Sequence, residues 1–92
     1  MRIEEEFGFV TPTMEGGYVN IEMPTNPEAI SMGFSSSGLP CVVASVDPSA
    51  EKQVKKFFVC GKTYSPYEQK TDRRFIGEYQ IDGLTFHLFE VT

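Results

Sequence analysis

Residues 75–91 carry the clearest structural signal in the sequence. Two runs rich in β-branched and aromatic residues, 75–81 and 84–91, are separated only by Asp82-Gly83. Asp-Gly between two such runs is typical of a two-residue β-hairpin, because a type I′ turn needs positive φ at both central positions. The sequence therefore predicts an antiparallel pair of strands in this part of the chain.

A second hairpin is predicted over residues 29–46. Its arms are residues 29–34 and 39–46, and they are joined by the polar segment 35–38, which contains Gly38. Glycine tolerates the positive φ that such connections often need. The second arm is apolar at consecutive positions, which predicts a central strand covered on both faces.

Three further runs, residues 6–10, 18–23 and 54–61, are interpreted as strands. Asp47-Pro48 could begin one short helical turn near residues 48–53, because an N-cap acid precedes a proline at the first helical position. A helix continuing through Phe58 is the alternative, but aromatic, β-branched and small residues at 57–60 favour a strand. Six or seven short strands in 92 residues predict a single, mainly β domain spanning residues 1–92, built as a small antiparallel sandwich or a partly open barrel.

The net charge of −5 is unevenly distributed along the chain. Residues 1–50 carry seven acidic side chains and one basic one, whereas residues 51–92 carry seven basic and six acidic side chains. The acidic total argues against non-specific nucleic-acid binding and against anionic membranes. No apolar stretch is long enough to span a bilayer, and the acidic residues 1–6 are unlike a secretory signal, so a cytoplasmic location is expected.

The sequence offers little catalytic chemistry. His87 is the only histidine, and catalysis by it would need Glu78 or Asp72 to converge on it from elsewhere in the fold. Cys41 and Cys60 lie in apolar runs and are interpreted as buried small hydrophobic residues. A zinc site would need further ligands. We therefore expect no enzyme activity, no metal and no cofactor.

The best candidate for a binding site is the cationic, tyrosine-bearing segment that follows the predicted strand 54–61 and leads into the closing hairpin. Tyrosine is enriched at protein interfaces, and it can also stack on a nucleobase while a nearby cation holds a phosphate. A purely structural loop is the alternative. The candidate residues are Lys62, Tyr64, Tyr67, Lys70, Arg73 and Arg74.

Four segments carry a family resemblance: Ile21-x-Met23-Pro24 with the Ala29 that follows it, residues 40–48, Phe58-x-Cys60-Gly61 and the closing residues 75–90. Together they resemble a family of small, functionally unassigned proteins found mainly in tailed bacteriophages and prophages, over residues 21–90. The resemblance implies a phage-encoded cytoplasmic accessory protein with a mostly β fold, and it brings no catalytic residues. Many relatives place a histidine soon after the glycine that matches Gly61, whereas this sequence has Lys62-Thr63-Tyr64.

The leading functional hypothesis is a non-catalytic binding protein that binds and modulates a host or defence factor. The partner would be a host or phage protein. One alternative is an oligomeric sponge for a small anionic nucleotide signal, and others are a minor virion component or an enzyme using His87. A homodimer is also expected, because strands that are apolar on both faces need more cover than a chain of this length supplies.

Overall fold

The computed structural model describes residues 1–12, 17–61 and 73–91, and these residues form an all-β fold without a helix. They contain seven strands, which confirms the predicted fold class. The strands are β1 (Ile3–Gly8), β2 (Gly17–Pro24), β3 (Glu28–Phe34), β4 (Pro40–Val46), β5 (Lys52–Gly61), β6 (Arg73–Ile81) and β7 (Leu84–Val91).

The strands form two antiparallel sheets. The three-stranded sheet has the order β1-β4-β3, and the four-stranded sheet has the order β2-β5-β7-β6. Among the described strands no backbone pairing joins the two sheets into a closed barrel. Both predicted hairpins are present, as β3-β4 and β6-β7, and β4 is the central strand of its sheet as predicted.

Several strand boundaries differ from the sequence prediction, among them the ends of β1 and the starts of β5 and β6. The helical turn considered near residues 48–53 is a turn in which the backbone N–H of Ala50 donates to the Asp47 carbonyl at 3.1 Å. The strand preference of the following residues prevails, and β5 begins at Lys52. β1 begins earlier than predicted, at Ile3, because its acidic residues pair with β4 from Val46 onward.

The main hydrophobic core lies between the two sheets. Phe57 and Val59 of β5 and Phe86 and Leu88 of β7 fill it from one side, and Val42 of β4 fills it from the other. Side chains alternate along a strand, so the residues between these point to the outer face of the four-stranded sheet.

The edge strands β3 and β6 lie against each other where the sheets meet. The rings of Phe34 and Tyr79 are 6.1 Å apart, and a Cβ on Gly77 would lie 3.0 Å from Cγ of Met32. Each strand also has a break in its register, at Ile30 in β3 and at Ile76 in β6. The close approach explains why a glycine occupies position 77.

The β6-β7 turn has the backbone geometry that the Asp-Gly dipeptide predicts. Asp82 and Gly83 have φ angles of 50° and 79°, and Gly38 in the other hairpin has a φ angle of 86°. Positive φ at both central positions matches the type I′ requirement.

Within the described residues there is no helix with the length and apolar character that a membrane crossing requires.

Candidate functional site

Four aromatic rings form a row across the outer face of the four-stranded sheet. Tyr18 of β2 pairs with Phe58 of β5, Phe58 pairs with Phe89 of β7, and Phe89 pairs with Phe75 of β6. The corresponding ring centroids are 5.2, 6.5 and 5.6 Å apart. Cross-strand aromatic pairs at this spacing stabilise a sheet, and here they join all four strands.

The row follows from two pairs of consecutive apolar residues. In Phe57-Phe58 and Leu88-Phe89, the first residue points into the core and the second points outward. Because neighbouring side chains in a strand point to opposite faces, such pairs make both faces of the sheet apolar. The outer face of β5 and β7 therefore has its own small hydrophobic cluster of Phe58, Cys60, Phe89 and Val91.

Two cations lie against one end of this row. Cζ of Arg73 is 3.9 Å from the Phe58 ring centroid, and Nη2 of Arg73 donates a hydrogen bond to the Tyr18 hydroxyl at 2.8 Å. Nζ of Lys56 lies 5.2 Å from the Tyr18 centroid. The two distances from a cation to a ring centroid, 3.9 and 5.2 Å, are within the range for attraction between a cation and an aromatic face. We call these six residues the aromatic–cationic face: Tyr18, Lys56, Phe58, Arg73, Phe75 and Phe89.

The exposure of the rings differs between the middle and the ends of the row. Phe58 and Phe89 are 8% and 6% exposed, whereas Tyr18 and Phe75 are 53% and 50% exposed. The inner rings are therefore structural supports, and the outer rings are accessible to a partner.

A second row on the same face contains three titratable residues of the kind that take part in catalysis. Cys60, His87 and Glu78 are successive cross-strand partners, and Nε2 of His87 lies 3.4 Å from Oε2 of Glu78. Among the described residues, the buried Nδ1 of His87 has no hydrogen-bond partner. The structure thus brings together two of the residues considered for catalysis, while Asp72 lies outside the described residues.

The environment of Cys60 disfavours nucleophilic chemistry. Its side chain is fully buried, and burial raises the pKa of its thiol, with the positive charge of Arg73 opposing this effect. A reactive cysteine needs the opposite, a lowered pKa and access to substrate. In the described part of the chain, no group of three or more His, Cys, Asp or Glu residues is placed to hold a metal ion.

Of the six binding residues predicted from the sequence, two lie in β6 and four lie outside the described residues. Lys62, Tyr64, Tyr67 and Lys70 lie outside the described residues. Arg73 joins the aromatic–cationic face. Arg74, the next residue in β6, points to the inner face, where its Nε lies 2.9 Å from Oε1 of Glu90 and its Nη2 donates to the Ala29 carbonyl at 2.8 Å.

The lysine pair in β5 separates in the same way. Nζ of Lys55 lies 3.5 Å from Oε2 of Glu90 on the inner side, whereas Lys56 lies over Tyr18 on the outer side. Alternation along a strand predicts this separation.

Sequence reasoning did not select Tyr18, Lys56, Phe58, Phe75 or Phe89 as site residues. The outward direction of the residues in β2 and β5 and of Phe89 could be read from strand alternation, whereas Phe75 points outward because of the register break at Ile76. The assembly of all five depends on the pairing of β2 with β5, of β5 with β7 and of β7 with β6. The strands of the first two pairs are distant in sequence, and alternation within one strand does not fix its neighbour.

No protein-family model, no curated protein and no solved structure matches this chain.

Proposed function

We propose that the chain is a non-catalytic binding protein whose partner docks on the aromatic–cationic face. The observation that carries the proposal is the row of four rings in register across one whole sheet, with Arg73 stacked on Phe58. Aromatic side chains and arginine are enriched at protein interfaces, where they contribute much of the binding energy.

The chemistry of the face defines the partner. Tyr18 and Phe75 offer apolar area at the two ends of the row, and Lys56 and Arg73 offer positive charge beside Tyr18. A protein surface with an apolar pocket next to a carboxylate complements this arrangement. Because the whole chain is acidic, this local positive charge would direct the partner's orientation.

The resemblance of residues 21–90 to small phage proteins supports a biological setting for this binding. In that setting the chain is a phage-type accessory protein that acts in the cytoplasm of a bacterial host and modulates a host or defence factor. The buried Cys60, whose pKa is raised by burial, supports a role that does not depend on a nucleophile.

A small anionic nucleotide is the second candidate ligand. The half-exposed Tyr18 ring could stack on a base, while Lys56 and Arg73 lie close enough to that ring to hold a phosphate. A saturating nucleotide at about 100 times its dissociation constant would stabilise the folded protein by roughly 2.7 kcal/mol, so a thermal-shift screen with cyclic di- and trinucleotides tests this candidate.

Affinity purification from bacterial cells tests the main proposal. The wild-type chain is compared with the double variant Phe75→Ser and Arg73→Ala, which removes one exposed ring and one cation from the face. We expect a protein partner to be retained by the wild type and lost from the double variant. Quantitative mass spectrometry of the bound fraction is the measurement.

The matched control is Phe34→Ser, because Phe34 is also a half-exposed phenylalanine but lies on β3 of the other sheet. The control should retain the partner. Equal retention by the wild type and the double variant would show that binding occurs elsewhere on the molecule.

A further inference from the structure

The described strands leave four sheet edges. They are β1 and β3 in the three-stranded sheet and β2 and β6 in the four-stranded sheet. An edge strand presents backbone N–H and C=O groups that can pair with another chain, and proteins commonly block such edges with charges or bulges. The four edges can therefore be compared for how well they are blocked.

Three of the edges carry features that oppose pairing. β1 has three consecutive acids, Glu4, Glu5 and Glu6, so two copies pairing through it would bring like charges together. β3 and β6 have irregular registers at Ile30 and Ile76, and they lie against each other at the side of the sandwich. Bulges and mutual contact make these two strands poor templates.

β2 has none of these features. Its eight residues pair with β5 in one unbroken register, from Gly17 opposite Val59 to Pro24 opposite Lys52. It contains a single charged residue, Glu22, and its polar residues alternate with apolar ones. Among the described strands, β2 is therefore the edge best suited to accept another strand.

We propose that β2 pairs in antiparallel fashion with β2 of a second copy of this chain, about a two-fold axis at Asn20. This register places every residue from Gly17 to Met23 opposite a residue of the same segment. It leaves out only Pro24, which has no N–H to donate. The two four-stranded sheets then form one continuous eight-stranded sheet.

The side chains complement each other in this register. On the outer face, Tyr18 lies opposite the second copy's Glu22, beside the cations Lys56 and Arg73 that already contact Tyr18. On the inner face, the partly buried Val19 lies opposite the second copy's Ile21, which already belongs to the core of its own chain, so the pairing is apolar on this face. Because the two copies are related by symmetry, each of these contacts occurs twice.

The contact is small, which determines how the dimer should behave. An interface made mainly by one pair of strands falls in the weak class, below about 1,200 Å² of buried surface. We therefore expect an equilibrium between monomer and dimer that shifts with protein concentration.

Sedimentation velocity over a concentration series tests the proposal. At high concentration the wild type should approach twice the 10.3 kDa mass of the chain. Glu22→Lys should shift the equilibrium toward monomer, since it brings a positive charge against Lys56 and Arg73. Adding Lys56→Glu in the same chain should shift the equilibrium part of the way back toward dimer, because one of the two facing cations is then replaced by a carboxylate while Arg73 keeps its charge.

Glu6→Lys is the matched control, with the same change of charge on an exposed strand residue of the other sheet. It should dimerise like the wild type. A wild-type chain that stays monomeric at the highest concentration would overturn the proposal, and so would equal dimerisation by Glu22→Lys and Glu6→Lys.

Hydrogen exchange on the wild-type chain gives a test that needs no variant. The backbone amides of β2 that point away from β5 should be protected at high concentration and should exchange rapidly after dilution. Rapid exchange of these amides in a sample that sediments as dimer would place the interface elsewhere and overturn the β2 pairing.

Discussion

At the scale of single residues, burial determines the chemistry of the titratable groups inside this fold. Tyr79 is buried in the core, and its hydroxyl forms a 2.9 Å hydrogen bond with Oγ1 of Thr11. Burial raises the pKa of Tyr79 above its ordinary value of 10.0, and the hydrogen bond with Thr11 partly opposes this effect. Burial likewise raises the pKa of Cys60 above 9.0.

These shifts predict a loss of stability at alkaline pH. The folded state holds the Tyr79 and Cys60 protons more tightly than the unfolded state, so their contribution is complete below the unfolded pKa values and is lost as pH rises through the folded ones. The free energy of unfolding, measured with urea, should fall above about pH 9. Tyr79→Phe and Cys60→Ala should each reduce this fall, and identical pH profiles for all three proteins would contradict the assignment.

At the scale of strands and turns, the hairpins depend on a few backbone positions. The β6-β7 turn needs positive φ at Asp82 and Gly83, where the φ angles are 50° and 79°. Asparagine, aspartate and glycine tolerate this region far better than other residues do. The turn sets the register of β6 on β7 from Ile81 to Gly77, and the register break at Ile76 then brings Phe75 and Arg73 to the aromatic–cationic face.

Replacing Gly83 tests the importance of this turn. Gly83→Ala should lower the free energy of unfolding by about 1 kcal/mol or more, because alanine is strained at positive φ. Gly33→Ala is the matched control, since Gly33 has no atom within 4 Å of an added Cβ and no positive φ. Urea denaturation should separate the two variants, and equal stabilities would argue against a strained turn.

At the scale of the whole molecule, an ionic cluster joins the two sheets at the inner face. Glu90 of β7 contacts Lys55 of β5 and Arg74 of β6, and Arg74 also reaches the Ala29 carbonyl of β3 in the other sheet. The Glu90 side chain is 9% exposed, so its charge needs both cations for compensation. This cluster links three strands of one sheet to an edge of the other.

Removing the carboxylate should weaken the whole sandwich. Breaking a fully buried ion pair costs about 3–5 kcal/mol, and a cost of roughly 2 kcal/mol is expected for Glu90→Gln, because the Arg74 side chain is 52% exposed. Glu6→Gln on the exposed β1 should change stability by less than about 0.5 kcal/mol. Thermal and urea unfolding provide the measurement, and a similar small effect for both variants would show that the cluster does not hold the sheets together.

The sequence by itself determined the local features of this protein. Alternating apolar runs, the Asp82-Gly83 turn and Gly38 predicted the two hairpins and the all-β class, because these signals depend on residues close together along the chain. The alternation of side chains along a strand also accounts for the opposite directions of Arg73 and Arg74, and of Lys55 and Lys56. The ends of β1, β5 and β6 differ from the prediction by two or three residues, because the length of a strand also depends on the strand it pairs with.

Only the tertiary structure decided which strands pair and which of their side chains come into contact. The aromatic row depends on Tyr18 pairing with Phe58 and on Phe58 pairing with Phe89, and the ionic cluster brings together Glu90 and Arg74 with Ala29. Strand order and register between distant segments are set by how all the apolar faces are buried together. No single segment of the sequence contains that information, so the residues of the candidate site can be identified only from the assembled sheets.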